Sequence, residues 1–216
     1  MKNLKYAILR WMSTVTWKSE SSLMSNEDLE NIKNLLAKNH YIILTWRSNH
    51  LTSYTISFAH YMLGLWAKIR MPFVQPWPKF ARYSHSCMNI EKTDDPRVSE
   101  DYEILESLAA GVKISPFLEV FNCKRAVLLE PAIPPDQWQA LVERGLDRLG
   151  AMYDLDLNLN QDVKLSCIEL CVYVLKGYAE YNNHFQDIAD DIHKFQNLDP
   201  QMLRDSKSFR VVYETK

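Results

Sequence analysis

Glycine, paired cysteine motifs, excess charge and long apolar runs are all scarce in this chain, and each shortage removes a class of protein. Five glycines among 216 residues, beside 12% aromatic content, argue against disorder. Lysine and arginine number 25 against 27 aspartates and glutamates. The resulting charge of −2 gives no general basis for nucleic acid or an acidic surface as partner. The four cysteines, Cys87, Cys123, Cys167 and Cys171, are irregularly spaced and form no CxxC, which suggests neither a disulfide framework nor a zinc ribbon. Cys167 and Cys171 lie four apart, but no further His/Cys pair at ligand spacing accompanies them, so no metal is expected. Reduced thiols in a cytosol-like compartment fit best. In the N-terminal "MKNLKYAILRWMSTVTWKSESS" Arg10 cuts the apolar run after four residues, too soon for a signal peptide. No stretch approaches a transmembrane span. Internal repeats and low-complexity linkers are also lacking.

What is present is a globular composition, 47% hydrophobic and 24% charged, long enough to bury a core without disulfide or metal staples. Residues 1–24 read as an N-terminal extension and 25–216 as one domain. Within the extension, 5–17 suit a small amphipathic helix that packs on the domain or lies on a membrane surface.

Periodicity then orders the elements. Residues 25–39 predict a helix, with Ser25 as cap and Leu29, Ile32, Leu35 and Leu36 on one stripe. "YIILT" (41–45) predicts a buried strand, and 53–69 a helix. Three prolines in "MPFVQPWPKF" (71–80) exclude regular structure, and its aromatics suit a cover. Residues 82–91, 102–108, 126–131 and 209–213 predict strands, with a turn around Gly111. "PPDQWQALVERGLDRLG" (134–150) is the clearest helix: Trp138, Leu141, Val142, Leu146 and Leu149 share a face, Pro135 and Asp136 start it and Gly150 ends it. Residues 167–180 predict a helix apolar almost all round, hence buried. Helices and strands are partly segregated, which points to α+β.

Cys167 begins that buried helix, with Ser166 a plausible cap. A helix start favours an anion, so a cysteine in the first turn is thiolate-prone. The competing reading is a small core residue, the commoner fate of free cysteine. A thiol nucleophile needs a base. His85, in a strand between Ser84 and Ser86, is the strongest candidate. His184 and His193 stand in acidic, polar surroundings, and His60 falls among aromatics.

The order of the pieces is informative. "LAKNHYIILT", "YSHSCMNIE", "ILESLAAGVKISPFLEVF", "AVLLEP", "RLGAMYDLDLN", "LSCIELCVYVL" and "LDPQMLRDSKSF" follow one another over about residues 27–213. This series resembles the circularly permuted papain-like hydrolases, the YiiX-like branch of the NlpC-type cysteine peptidases. The sequence departs from their pattern at Asn39–His40, where the family has Gly-Asp, at Cys87, where a small residue is usual, and at Ile168, where it has serine.

The resemblance implies a permuted papain-like fold, a short antiparallel sheet or barrel packed against the cysteine helix. It implies Cys167 as nucleophile, His85 as base and Glu106 as the third polar residue, with Tyr153, Asp154 and Ser166 near the substrate. Glu169 matches the family's helix glutamate, although a structural hydrogen bond suits it better than catalysis. No cofactor is needed. The substrate implied is a small peptide, such as a cell-wall peptide, or another amide. Related branches act on lipid acyl esters, and residues 5–17 and 54–77 offer apolar segments for peripheral membrane contact. A catalytically inactive binding domain of the same fold is the third reading. Without an export signal, the expected location is the cytoplasm, with release by lysis or carriage by a phage.

Overall fold

The computed structural model describes residues 11, 15, 23–47, 51–70, 80–90, 103–154, 164–179, 200–206 and 208–215. In chain order its elements are α1 (Asn26–Leu36), β1 (Ile42–Trp46), α2 (Leu51–Arg70), β2 (His85–Asn89), β3 (Glu103–Leu108), β4 (Gly111–Pro116), α3 (Phe117–Val120), β5 (Arg125–Pro131), α4 (Pro135–Leu146), α5 (Cys167–Ala179), α6 (Pro200–Asp205) and β6 (Phe209–Glu214). The strands form one sheet in the order β4-β3-β2-β1-β5-β6, every neighbouring pair antiparallel. The architecture is therefore α+β, as the segregated pattern predicts.

Ser25 caps α1, its Oγ accepting the Asp28 N–H at 3.0 Å, which satisfies one of the orphan donors of the first turn. The continuous apolar run of β1 has its reason in the layers. Ile42 and Leu44 face one way, with Met88, Leu105, Val127 and Leu129, onto α4 and α5. Ile43 faces the other, with Cys87, Ile104, Ala126 and Leu128, onto Ile32 and Leu36 of α1 and Phe117 and Val120 of α3. A sheet covered on both faces needs no polar alternation. Trp138, Leu141, Val142 and Leu146 of α4 are buried as its stripe predicts. So is nearly every side of α5, from Ile168 to Tyr178.

Three elements differ from the sequence reading: β4, α3 and the short helix α6. The region around Gly111 is not only a turn: Gly111 opens β4, which continues to Pro116, and α3 follows at once. A strand that is half polar and ends in proline carries little periodic signal, and here it is a sheet edge, where proline is tolerated. The expected helix over 5–17, the aromatic cover over 71–80, and His184 and His193 lie outside the described residues, apart from Trp11, Val15 and Phe80.

Gly111 also fastens the polypeptide that leads to α5. The Val112 N–H donates to the Ala151 carbonyl and the Gly150 N–H to the Val112 carbonyl, both at 2.9 Å. Gly111 has φ 110°, and a Cβ there would stand 2.6 Å from the Ala151 oxygen. Gly150, φ 81°, ends the α4 region with open space around it. Gly111→Ala should therefore cost roughly 2 kcal/mol or more, from strain and collision together, and Gly150→Ala roughly 1 kcal/mol from strain alone. Urea denaturation of the two variants checks the order; equal losses would contradict the close approach.

Candidate active site

α5 lies over β2 and β3, and its N-terminus is built by a reciprocal cap. The Ser166 N–H donates to Glu169 Oε2 at 2.7 Å, and the Glu169 N–H points back to Ser166 Oγ at 3.4 Å. This is the capping box, in which two orphan donors are satisfied at once. Ser166 and Glu169 are both buried, so the side chain of Ser166 serves the helix. Burial pushes the Glu169 carboxyl up, and the charge of Asp154 adds to the effect. The cap leaves Cys167 as the first residue of the helix.

β2 pairs with β3 so that Cys87 stands opposite Glu106. His85, two residues along, is then the diagonal neighbour of Glu106 on the same face, within reach of a long side chain. Its Nε2 lies 2.7 Å from Glu106 Oε2, with Glu106 fully buried. Burial opposes the Glu106 charge, yet the hydrogen bond and charge of His85, with Arg47 and Ser115, hold the carboxyl down at about 2. An ionised carboxylate only accepts, so Nε2 carries the proton. Ser115 Oγ donates to the other oxygen, Oε1, while Arg47 and Lys113 stand 4.0 and 3.8 Å away. Each oxygen of the buried charge thus accepts a hydrogen bond and has a cation about 4 Å away, the compensation that burial of an ion requires.

The Nε2 contact leaves Nδ1 of His85 for the thiol. His85 and Cys167 are hydrogen-bonded side chain to side chain. Desolvation would lower the His85 pKa, but its bonds to Cys167 and Glu106 and their charges win and raise it to about 9. Desolvation would raise the Cys167 thiol, but the imidazole bond and charge, with the Ser86 backbone N–H, bring it below its ordinary value. The other three cysteines go the opposite way. Burial pushes Cys123 and Cys171 up to about 12 and Cys87 well above its ordinary value. Only Cys167 has the environment of a thiolate–imidazolium pair.

Tyr153 completes the cluster. Its hydroxyl is hydrogen-bonded to both the sulfur and the backbone N–H of Cys167, and burial followed by the charge of that sulfur raises its own pKa well above the usual value. Asp154 beside it is buried. The parallel bridge of Met152 to Lys164 brings the Tyr153 segment to the helix start, and Ser107 Oγ of β3 donates to the Leu165 carbonyl at 2.5 Å. The residues singled out in the sequence, Cys167, His85, Glu106, Tyr153, Asp154, Ser166 and Glu169, therefore converge on one end of α5. Sequence reasoning missed the neighbours of Glu106: Arg47, Lys113 and Ser115 reach it through strand register and leave no local motif. Among the described residues no group of three His, Cys, Asp or Glu has the arrangement of a metal site. No protein-family model matches the chain, and neither does any curated protein or solved structure.

The four thiols should separate by reactivity. Brief alkylation at neutral pH, followed by peptide mapping, should label Cys167 first, because it alone has a depressed pKa and its residual exposure of 5% is the largest of the four. His85→Gln removes the stabilising cation and should move the pH profile of Cys167 labelling upward. An unchanged profile would mean that the ring and thiol do not interact.

Glu106 gives a separate acid-limb test. Its folded pKa lies below its ordinary 4.5, so its contribution to stability is fully present above about 4.5 and is lost as pH falls toward about 2. Glu106→Gln should flatten that part of the stability–pH curve relative to wild type. Parallel curves would contradict the depressed carboxylate.

Proposed function

We propose that the chain is a cysteine-dependent hydrolase with a permuted papain-like fold, cleaving an amide or ester through a thioacyl intermediate. The observation that carries this is the buried relay Cys167–His85–Glu106, in which a fully buried carboxylate fixes the ring that lowers the thiol pKa. His85 holds the Cys167 proton, and the thiolate attacks the substrate carbonyl carbon. The carbonyl π pair moves to oxygen. The Cys167 backbone N–H and the Tyr153 hydroxyl, both already at the thiol, are the donors suited to that oxyanion. His85 then protonates the leaving amine or alcohol as the C–N or C–O bond breaks. It next takes a proton from the water that cleaves the thioester, and returns that proton to sulfur. Glu106 stays ionised throughout, orienting the ring and supporting its positive charge, as the third member of such a triad does. The class of substrate follows the resemblance: an amide of the cell-wall peptide kind first, an acyl lipid second. The second reading draws support from the aromatic surface that α2 exposes next to the site. An inactive binding domain of the same fold accounts poorly for a thiol pKa lowered at the expense of a buried charge.

The test is turnover of small thiol-hydrolase substrates, amide and ester, with formation of a covalent acyl adduct followed by mass spectrometry. Cys167→Ser should abolish the adduct while leaving the fold intact. Glu106→Gln should cut turnover by roughly two orders of magnitude, and Tyr153→Phe by a similar factor if it holds the oxyanion. Full activity in Cys167→Ser would exclude the mechanism.

A further inference from the structure

From Asn31 to Ile90 the chain has no aspartate or glutamate but seven lysines and arginines, whereas the rest holds 18 basic and 27 acidic residues. The near-neutral total conceals one strongly cationic segment, a charge asymmetry that points to an anionic partner surface. α2 lies inside it and carries an exposed apolar stripe. Ser53 and Ser57 are buried, while Tyr54, Phe58, Met62, Trp66 and Ile69 are between 45% and 66% exposed. Their spacing of four, four, four and three sets them on one stripe, about 22 Å long at 1.5 Å per residue. Phe80, 59% exposed, stacks on Tyr61 beside it at 4.5 Å between ring centroids. Trp46, Phe58 and Phe80 line an adjoining cavity of about 510 Å³, and Arg82, Lys124 and Arg125 stand around it.

We propose that this face docks in the headgroup region of a bilayer containing anionic lipids. An apolar patch of this extent calls for an apolar cover. Its chemistry selects which one: tyrosine and tryptophan favour the membrane interface, and the clustered cations Lys124 and Arg125, with Arg82 shared with Glu214 at 3.5 Å, favour anionic headgroups. No helix among the described residues is long and apolar enough to cross a membrane, so α2 lies in the surface plane. Docking brings the site to the lipid. Ser84 Oγ donates to Ser53 Oγ at 2.8 Å, and Trp46 follows Thr45, the register partner of His85. α2 thus packs against the residue that leads into His85. This goes beyond the hydrolase reading and stands without it.

Co-sedimentation of the full chain with vesicles decides the matter. Binding to phosphatidylcholine mixed with phosphatidylglycerol should exceed binding to phosphatidylcholine alone by roughly tenfold, and should weaken with salt. Phe58→Ser combined with Trp66→Ser should lower it by a further factor of roughly ten. Lys124→Gln with Arg125→Gln should lower binding to mixed vesicles toward the phosphatidylcholine level. An unchanged circular dichroism spectrum and unchanged Cys167 labelling in these variants show that the fold is intact. No binding of wild type to mixed vesicles would overturn the proposal, as would undiminished binding of the Phe58/Trp66 variant. So would a wild-type dimer that this variant disperses, which would make a second copy the occupant. Cys167→Ser should bind like wild type, so loss of the hydrolase reading would leave this result standing.

Discussion

A carboxylate with no access to water is the constraint around which the rest is arranged. Glu106 is ionised in the interior, a state that costs several kcal/mol unless it is fully compensated. The compensation comes from four places in the chain: His85 on one neighbouring strand, Ser115 and Lys113 on the other, and Arg47 just beyond β1. Removing Glu106 frees these groups; removing a partner strands the charge. The same interaction acts at a distance on chemistry, because the imidazole that neutralises Glu106 also lowers the Cys167 pKa. The lowered Cys167 pKa and the stability of the sheet centre are therefore two readings of one electrostatic balance. It also fixes register. A slip of one residue between β2 and β3 would turn Glu106 toward Leu105's side of the sheet, among α4 and α5, where none of those partners waits.

Much of this was legible in the sequence, for definable reasons. The α4 stripe and the all-round apolar α5 announce how they pack, and Pro135 and Gly150 mark one helix region's limits. The Ser166-x-x-Glu169 spacing suits a cap because a capping box is local, and the structure closes it. Glu106 could be matched to His85 by reach, since a paired strand brings side chains to about 5 Å of each other. That choice required only that the two strands be neighbours, as they are.

The illegible parts depend on contacts distant in sequence. β4 has an apolar residue at only two of its six positions, Val112 and Ile114, and ends in proline, so nothing local distinguishes it from a loop; it is a strand because β3 offers it a hydrogen-bonding edge. Arg47 lies 59 residues from Glu106 and carries no mark of its role. Tyr153 could be flagged by resemblance, but its double contact with the sulfur and N–H of Cys167 follows from how the 150–153 segment is tied to β4. The exposed apolar stripe of α2 was hidden for another reason. Its composition is ordinary for a buried helix, and only the sheet's position reveals that serines face in and aromatics out.

The fastening of that segment to β4 has a consequence for how the molecule behaves in company. β4 is the terminal strand of the sheet, and an open strand edge is a template on which other chains add and aggregate. Gly150 and Ala151 occupy hydrogen-bonding groups at the start of that edge through Val112, so the edge is partly closed by the polypeptide that goes on to carry Tyr153. A lesion that loosens this segment would therefore show itself as precipitation at high concentration, and a search for soluble variants would retain the residues that hold Tyr153 beside Cys167.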